Sequence, residues 1–109
     1  MDKLKVGIVG SQFAAMLHAE SYKRCPDVIM HSVAAIDNLD KFAAEYSIPN
    51  KYDDYRQMVD KEDLDLVSVC VPNFLHKEIV VATAESGIKA IICEKPFATS
   101  ISDDVAISL

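Results

Sequence analysis

"LKVGIVGSQFAAMLHAESYKR", residues 4–24, is the stretch on which the fold turns. Its first part, "LKVGIVG" (4–10), is an apolar run with a single charge and reads as a short buried strand. From Ala14 to Arg24 the spacing changes to that of an amphipathic helix, which the Cys25-Pro26 pair ends because proline keeps the preceding backbone extended. A strand that turns at a glycine into a helix is one half of a βαβ unit.

The same alternation continues outward. "VIMHSVAAID" (28–37) reads as the second strand and "LDKFAAEYS" (39–47) as the second helix, stopped by Pro49. A brief extended piece follows at "NKY" (50–52), then a short polar helix at 53–64. "DLVSVCVP" (65–72) is the most β-branched segment and reads as a central strand. "NFLHKEIVVATAESG" (73–87) reads as a helix with Asn73 as N-cap and Gly87 as the C′ residue. "IKAIICE" (88–94) is a further strand, and a last helix is expected to begin near Ser100 or Ser102 and to run to the end. Strands that alternate with helices form a parallel sheet covered on both faces. The expected class is therefore α/β, a doubly wound Rossmann sheet of order 3-2-1-4-5, in one domain over residues 1–109.

Half of the chain is hydrophobic and 26% is charged, a globular balance. Eleven basic residues against 17 acidic ones give a net charge of -6, which repels phosphate backbones and argues against nucleic acid as a partner. The apolar run at the amino terminus is too short for a signal peptide, and no segment has the ~18 apolar residues of a membrane span, so a cytoplasmic protein with no membrane partner is expected. Cys25, Cys70 and Cys93 lack metal-ligand spacing and read as reduced core thiols. The acids of "DDY" and "DKEDLD" match no EF-hand loop and read as a solvated face; His18 and His31 have no partner at ligand spacing. No metal site is expected.

In doubly wound sheets ligands bind off the carboxyl ends of the strands, at the switch point between strands one and four. After strand one comes "GSQFAA" (10–15). A dinucleotide fingerprint wants glycine at the turn, at the pyrophosphate contact and at the helix packing point; here those positions hold Gly10, Gln12 and Ala15. Gln12 is a departure that puts a side chain where bare backbone would meet the diphosphate, although the helix N-terminus still offers free N–H groups. Read alone, the loop serves equally as a tight strand-to-helix turn.

After strand two comes Asp37, 27 positions beyond Gly10. A carboxylate there can accept both adenosine ribose hydroxyls and would repel the 2′-phosphate of NADP; it also suits an N-cap or turn. Asn38 or Lys41 could rearrange around a phosphate, which keeps NADP open beside NAD. Pro72 ends strand four, and "CEKPF" follows strand five. Lys95 is held extended by Pro96, and a lysine in a cleft can stabilise charge on a substrate oxygen; read alone, it is more simply a surface lysine paired with Glu94.

The combination of "KVGIVG", "PDVIMHSVAAID", "YRQMV", "VPNFLH" and "EKP" at these spacings resembles the amino-terminal domain of the Gfo/Idh/MocA family, the glucose-fructose oxidoreductase and inositol dehydrogenase type, over essentially the whole chain. The resemblance implies an NAD-binding domain of an oxidoreductase that transfers a hydride between nicotinamide and a secondary alcohol of a sugar, inositol or related polyol. It implies that Lys95 is catalytic and contacts the substrate hydroxyl. The turn of Gly10, Ser11, Gln12 and Phe13 would hold the diphosphate, Asp37 the adenosine ribose, Pro72 and Asn73 the nicotinamide ribose, and Glu94 and Lys95 the nicotinamide end.

Family enzymes continue into a second α+β domain that supplies the substrate pocket and a proton-transferring histidine. Here that domain is expected to be absent, so the chain alone is expected to bind cofactor without turnover, and a bared docking face invites self-association into a homo-oligomer. The alternative reading is a non-catalytic Rossmann module, a nucleotide sensor or protein-interaction domain, in which Gln12 marks the loss of tight binding.

Overall fold

The computed structural model describes residues 3–71, 73–88, 90–93 and 107–108. Strands β1 (Leu4–Val9), β2 (Val28–Ala34), β3 (Asn50–Tyr52), β4 (Leu66–Val69), β5 (Ala90–Cys93) and β6 (Ile107–Ser108) form a sheet of order β3-β2-β1-β4-β5-β6. Every pairing in it is parallel. Helices α1 (Phe13–Lys23), α2 (Leu39–Glu45), α3 (Tyr55–Lys61) and α4 (Asn73–Glu85) connect its strands. The expected order 3-2-1-4-5 is present, with one strand more.

That strand corrects the sequence reading of the chain's end. Ile107 and Ser108 pair parallel with Ile92 and Cys93, so these two residues extend the sheet where a terminal helix was expected. Ile107 is β-branched and lies beside the edge that β5 presents among the described residues, and ladder bonds along that edge outweigh the helical spacing of a short segment.

The strands alternate as buried parallel strands do, with successive side chains on opposite faces. Val6 and Ile8 of β1 pack with Ala15 and Ala19 of α1, Phe42 and Ala43 of α2, and Val33 of β2. On the other face Val9 packs with Met58 and Val59 of α3, Ile79 and Val80 of α4, and Val67 of β4. Val6, Ile8, Met58, Val67 and Val80 are completely buried. At roughly 1.5–3 kcal/mol each, such side chains supply much of the driving force for burying a sheet between two helix layers. Gly7 faces α3: a Cβ there would stand 2.5 Å from Leu64 Cδ1 and 3.1 Å from Met58 Cε, so the missing side chain lets α3 rest on β1.

Tertiary contacts override sequence spacing at several element ends. β2 stops at Ala34, three residues short of Asp37, because both neighbouring ladders end there, at Val9 of β1 and Tyr52 of β3. Asn73 is the first residue of α4 rather than its N-cap. Gly87 has φ of +91° just past α4, as a C′ residue should. Ser47 does the same after α2 at +55°, where Ile48 N–H closes the helix end on the Ala43 carbonyl at 2.8 Å.

Cys70 is buried, as expected, but Cys25 is exposed, because it lies in the turn beyond α1 and not in a strand. His31, for which no partner was foreseen, sits at an irregularity in β2, where the register passes from Val6↔Met30 to Gly7↔Ser32. Its Nε2 lies 2.8 Å from Glu62 Oε1, and Tyr52 donates to the same carboxylate. These bonds, the Tyr52 hydroxyl foremost, hold the Glu62 carboxyl below its usual range. Among the described residues no three His, Cys, Asp or Glu side chains gather as a metal site, and no helix is long and apolar enough to cross a membrane.

Candidate functional site

The chain leaves β1 at Val9 with ladder neighbours on both sides: Gly10 N–H donates to the Ala34 carbonyl and Cys70 N–H to the Val9 carbonyl, both at 2.8 Å. β2 lies to one side of β1 and β4 to the other, which makes the end of β1 the switch point. Gly10 has φ of +118°, and a Cβ on it would lie 2.2 Å from the Cys70 carbonyl oxygen. Only glycine lets the two strand ends approach so closely before the chain turns into α1.

Gln12 caps α1 with an extended backbone, φ -94° and ψ -160°, and its side chain makes no capping bond. The first intrahelical bond runs from Met16 N–H to the Gln12 carbonyl at 3.0 Å, which leaves the N–H groups of Phe13, Ala14 and Ala15 ahead of the ladder. No acid stands in the first turn to neutralise this positive end.

A cleft of about 580 Å³ opens there, lined by Gly10, Ser11, Gln12 and Asp37 from the first two βα turns. Ala34, Ala35, Val71 and Ile79 give it apolar walls. Asp37 is exposed, and among the described residues no group bonds its carboxylate. Asn38, at φ 58°, takes the cap position of α2 that Asp37 was free to fill. Ile36, 86% exposed, stands at the same rim.

The opposite rim was not foreseen. Asp54 caps α3 by accepting from Arg56 N–H at 2.9 Å. The Arg56 guanidinium lies 5.0 Å from the centre of the Tyr55 ring, and its Nη2 is 3.3 Å from Glu78 Oε2 on α4. Tyr55 hydroxyl donates to the same oxygen at 3.1 Å. Burial, and then this bond, push the Tyr55 phenol up from its ordinary value. These contacts cross 22 or 23 residues of sequence, and only the packing of α3 against α4 brings them together. The sequence signal that exists is local: an Asp that caps a Tyr-Arg helix start.

The structure thus brings Gly10, Ser11, Gln12 and Asp37 to one cleft. The Phe13 ring, 70% exposed, is not part of its lining; only the residue's N–H belongs to the helix start. Asn73 begins α4, while Pro72, Glu94 and Lys95 lie outside the described residues.

Comparison with known proteins agrees with this geometry. A family model described as "Oxidoreductase family, NAD-binding Rossmann fold" matches residues 4–107. The chain is similar to levoglucosan dehydrogenase of Pseudarthrobacter phenanthrenivorans, 32% identical over 117 aligned positions that take in 98% of this chain and 30% of that one. It is 28% identical to the scyllo-inositol 2-dehydrogenase (NADP(+)) IolU of Bacillus subtilis, over 92% of this chain and 31% of that one. A solved levoglucosan dehydrogenase in complex with NADH superimposes with a TM-score of 0.79 at 31% identity, over 88% of this chain and 28% of the other. The chain therefore spans about 30% of the length of these two curated relatives. By its sheet order, its glycine turn and the match over residues 4–107, the chain belongs to the Gfo/Idh/MocA oxidoreductase family and carries that family's NAD-binding Rossmann fold.

Proposed function

We propose that the cleft at the end of β1 holds NAD, and that the whole protein transfers a hydride between nicotinamide and a secondary alcohol of a sugar, inositol or related polyol. The observation that carries this reading is one place where a bare Gly10, the Gln12 cap that opens α1 and an Asp37 carboxylate with no partner among the described residues line a single cleft. The N–H groups and the positive helix end suit a diphosphate, and a carboxylate suits a ribose diol. The described lining also favours NAD over NADP: it holds Asp37, Asp53, Asp54 and Glu78 against Arg56 alone, an acidic rim that a further phosphate dianion must approach.

In this reading Pro72 and Asn73 flank the nicotinamide ribose, and Glu94 contacts the nicotinamide end. A nicotinamide held there would supply a hydride acceptor for the carbinol carbon. Lys95 would orient the alcohol oxygen and stabilise the negative charge that grows on it while a base from the rest of the protein takes its proton.

Gln12 fits this reading as well as glycine does. Its backbone is in the extended region open to every residue, and among the described residues its exposed side chain has no bond to break before it moves aside or donates to a phosphate oxygen. That removes the main support for a module that has lost its nucleotide.

A thermal melt tests the reading. NAD at ~100 times its dissociation constant is expected to stabilise the chain by about 2.7 kcal/mol, roughly 10 °C or more for a domain of this size. The Gln12→Gly variant is expected to bind NAD within about threefold of the native chain, a difference of ~0.7 kcal/mol. A melt that NAD leaves unmoved in the native chain would overturn the proposal, and one that it moves only in the glycine variant would restore the interaction-module reading.

A further inference from the structure

We infer that Ser11 is a positioning residue for the adenosine end of the coenzyme: its hydroxyl fastens the turn that carries Asp37, and through that turn it sets the preference for a free ribose 2′-hydroxyl over a 2′-phosphate. The inference rests on the NAD-binding reading above. Ser11 is only 7% exposed, and its Oγ donates to the backbone carbonyl of Asp37 across 26 residues of sequence. The bond ties the first βα turn to the second. Both turns line the same cleft.

The turn it holds has few other restraints. The β2 side ends with Ala35 N–H on the Tyr52 carbonyl at 3.0 Å. The α2 side begins with Phe42 N–H on the Asn38 carbonyl at 2.9 Å. Between them Ile36, Asp37 and Asn38 are exposed, Asn38 is left-handed, and the cap has no side-chain bond. Among the described residues the Ser11 hydroxyl is the group that reaches this segment from outside and holds Asp37.

A carboxylate that accepts two ribose hydroxyls at once must be placed to within about 0.5 Å, whereas a diphosphate on a helix N-terminus depends on the helix alone. Loss of the Ser11 hydroxyl leaves the Asp37 carbonyl without its donor and lets the turn shift. NAD, which needs the carboxylate, then loses more than NADP, which is repelled by it. If Ser11 served only as a diphosphate contact, the two coenzymes would lose equally.

Calorimetric titration of NAD and NADP into the native chain and its variants separates these cases. Ser11→Ala is expected to weaken NAD about tenfold, the scale of one hydrogen bond, and NADP less than about threefold. Ser11→Thr, which keeps a hydroxyl, is expected to restore the native ratio of the two constants. In an Asp37→Ala background, Ser11→Ala is expected to leave that ratio unchanged. Should Ser11→Ala fail to melt cooperatively, Ser11→Cys keeps the volume with a weaker donor and is expected to shift the ratio in the same direction. Equal losses for NAD and NADP, or an unaltered ratio in both variants, would overturn the inference while native binding of NAD leaves the cofactor reading intact. A native chain that binds neither coenzyme would overturn both.

Discussion

Replacing Gly10 with alanine is expected to cost the chain about 3 kcal/mol or more of its stability and to abolish NAD binding. Two separate effects add. An L side chain is strained at φ of +118°, and its Cβ would enter the Cys70 carbonyl at 2.2 Å and that group's carbon at 3.0 Å. The obstacle is backbone, in a residue tied to β1 by the bond of Cys70 N–H to the Val9 carbonyl, so it cannot swing aside as a side chain would. Relief requires β1 and β4 to separate at their carboxyl ends, which is where the cleft begins. The melting temperature should fall by roughly 12 °C or more. Gly87→Ala separates the two effects, because its φ is +91° with nothing within 4 Å of an added Cβ. It is expected to lose only about 1 kcal/mol and to keep NAD binding. Equal losses at the two positions would refute the argument from close approach.

Asp37→Ala is expected to weaken NAD by about ten- to a hundredfold, the loss of charge-assisted bonds to a ribose, and to leave NADP at or above its native affinity. Like charges about 5 Å apart repel by roughly 3 kcal/mol at an effective dielectric of ~20, so the native carboxylate alone should disfavour a 2′-phosphate strongly. The relative named as an NADP(+) enzyme shows why the preference must be argued from this chain's own residues. Titration of both coenzymes into the native chain and the variant decides it: a native chain that holds NADP as tightly as NAD would contradict the role given to Asp37.

The sheet was readable from the sequence where the pattern is long and both faces of a strand are buried. "LKVGIV" and "LVSV" are apolar because helices cover them on both sides, and their central place in the sheet follows. The ends of elements were less readable, because partners set them: β2 stops where its ladders with β1 and β3 end, and Ile107 joins the edge of β5. Of the site, Gly10 and Asp37 were legible, since turn chemistry and strand order suffice to place them in one cleft. What Gly10 avoids was not legible, because the Cys70 carbonyl is a backbone group supplied by another strand. Arg56, Tyr55 and Glu78 meet only through helix packing, and the bond from Ser11 to Asp37 joins two turns 26 residues apart.

The most direct test of the account is an amide NMR titration of the isotope-labelled chain with NAD. The largest shifts are expected at Gly10 to Ala15, where the N–H groups would meet the diphosphate, with a second set at Asp37 and Asn38 for the ribose. Shifts centred on the Tyr46 end of α2 or on the His31 and Glu62 pair, with the α1 start unmoved, would contradict it.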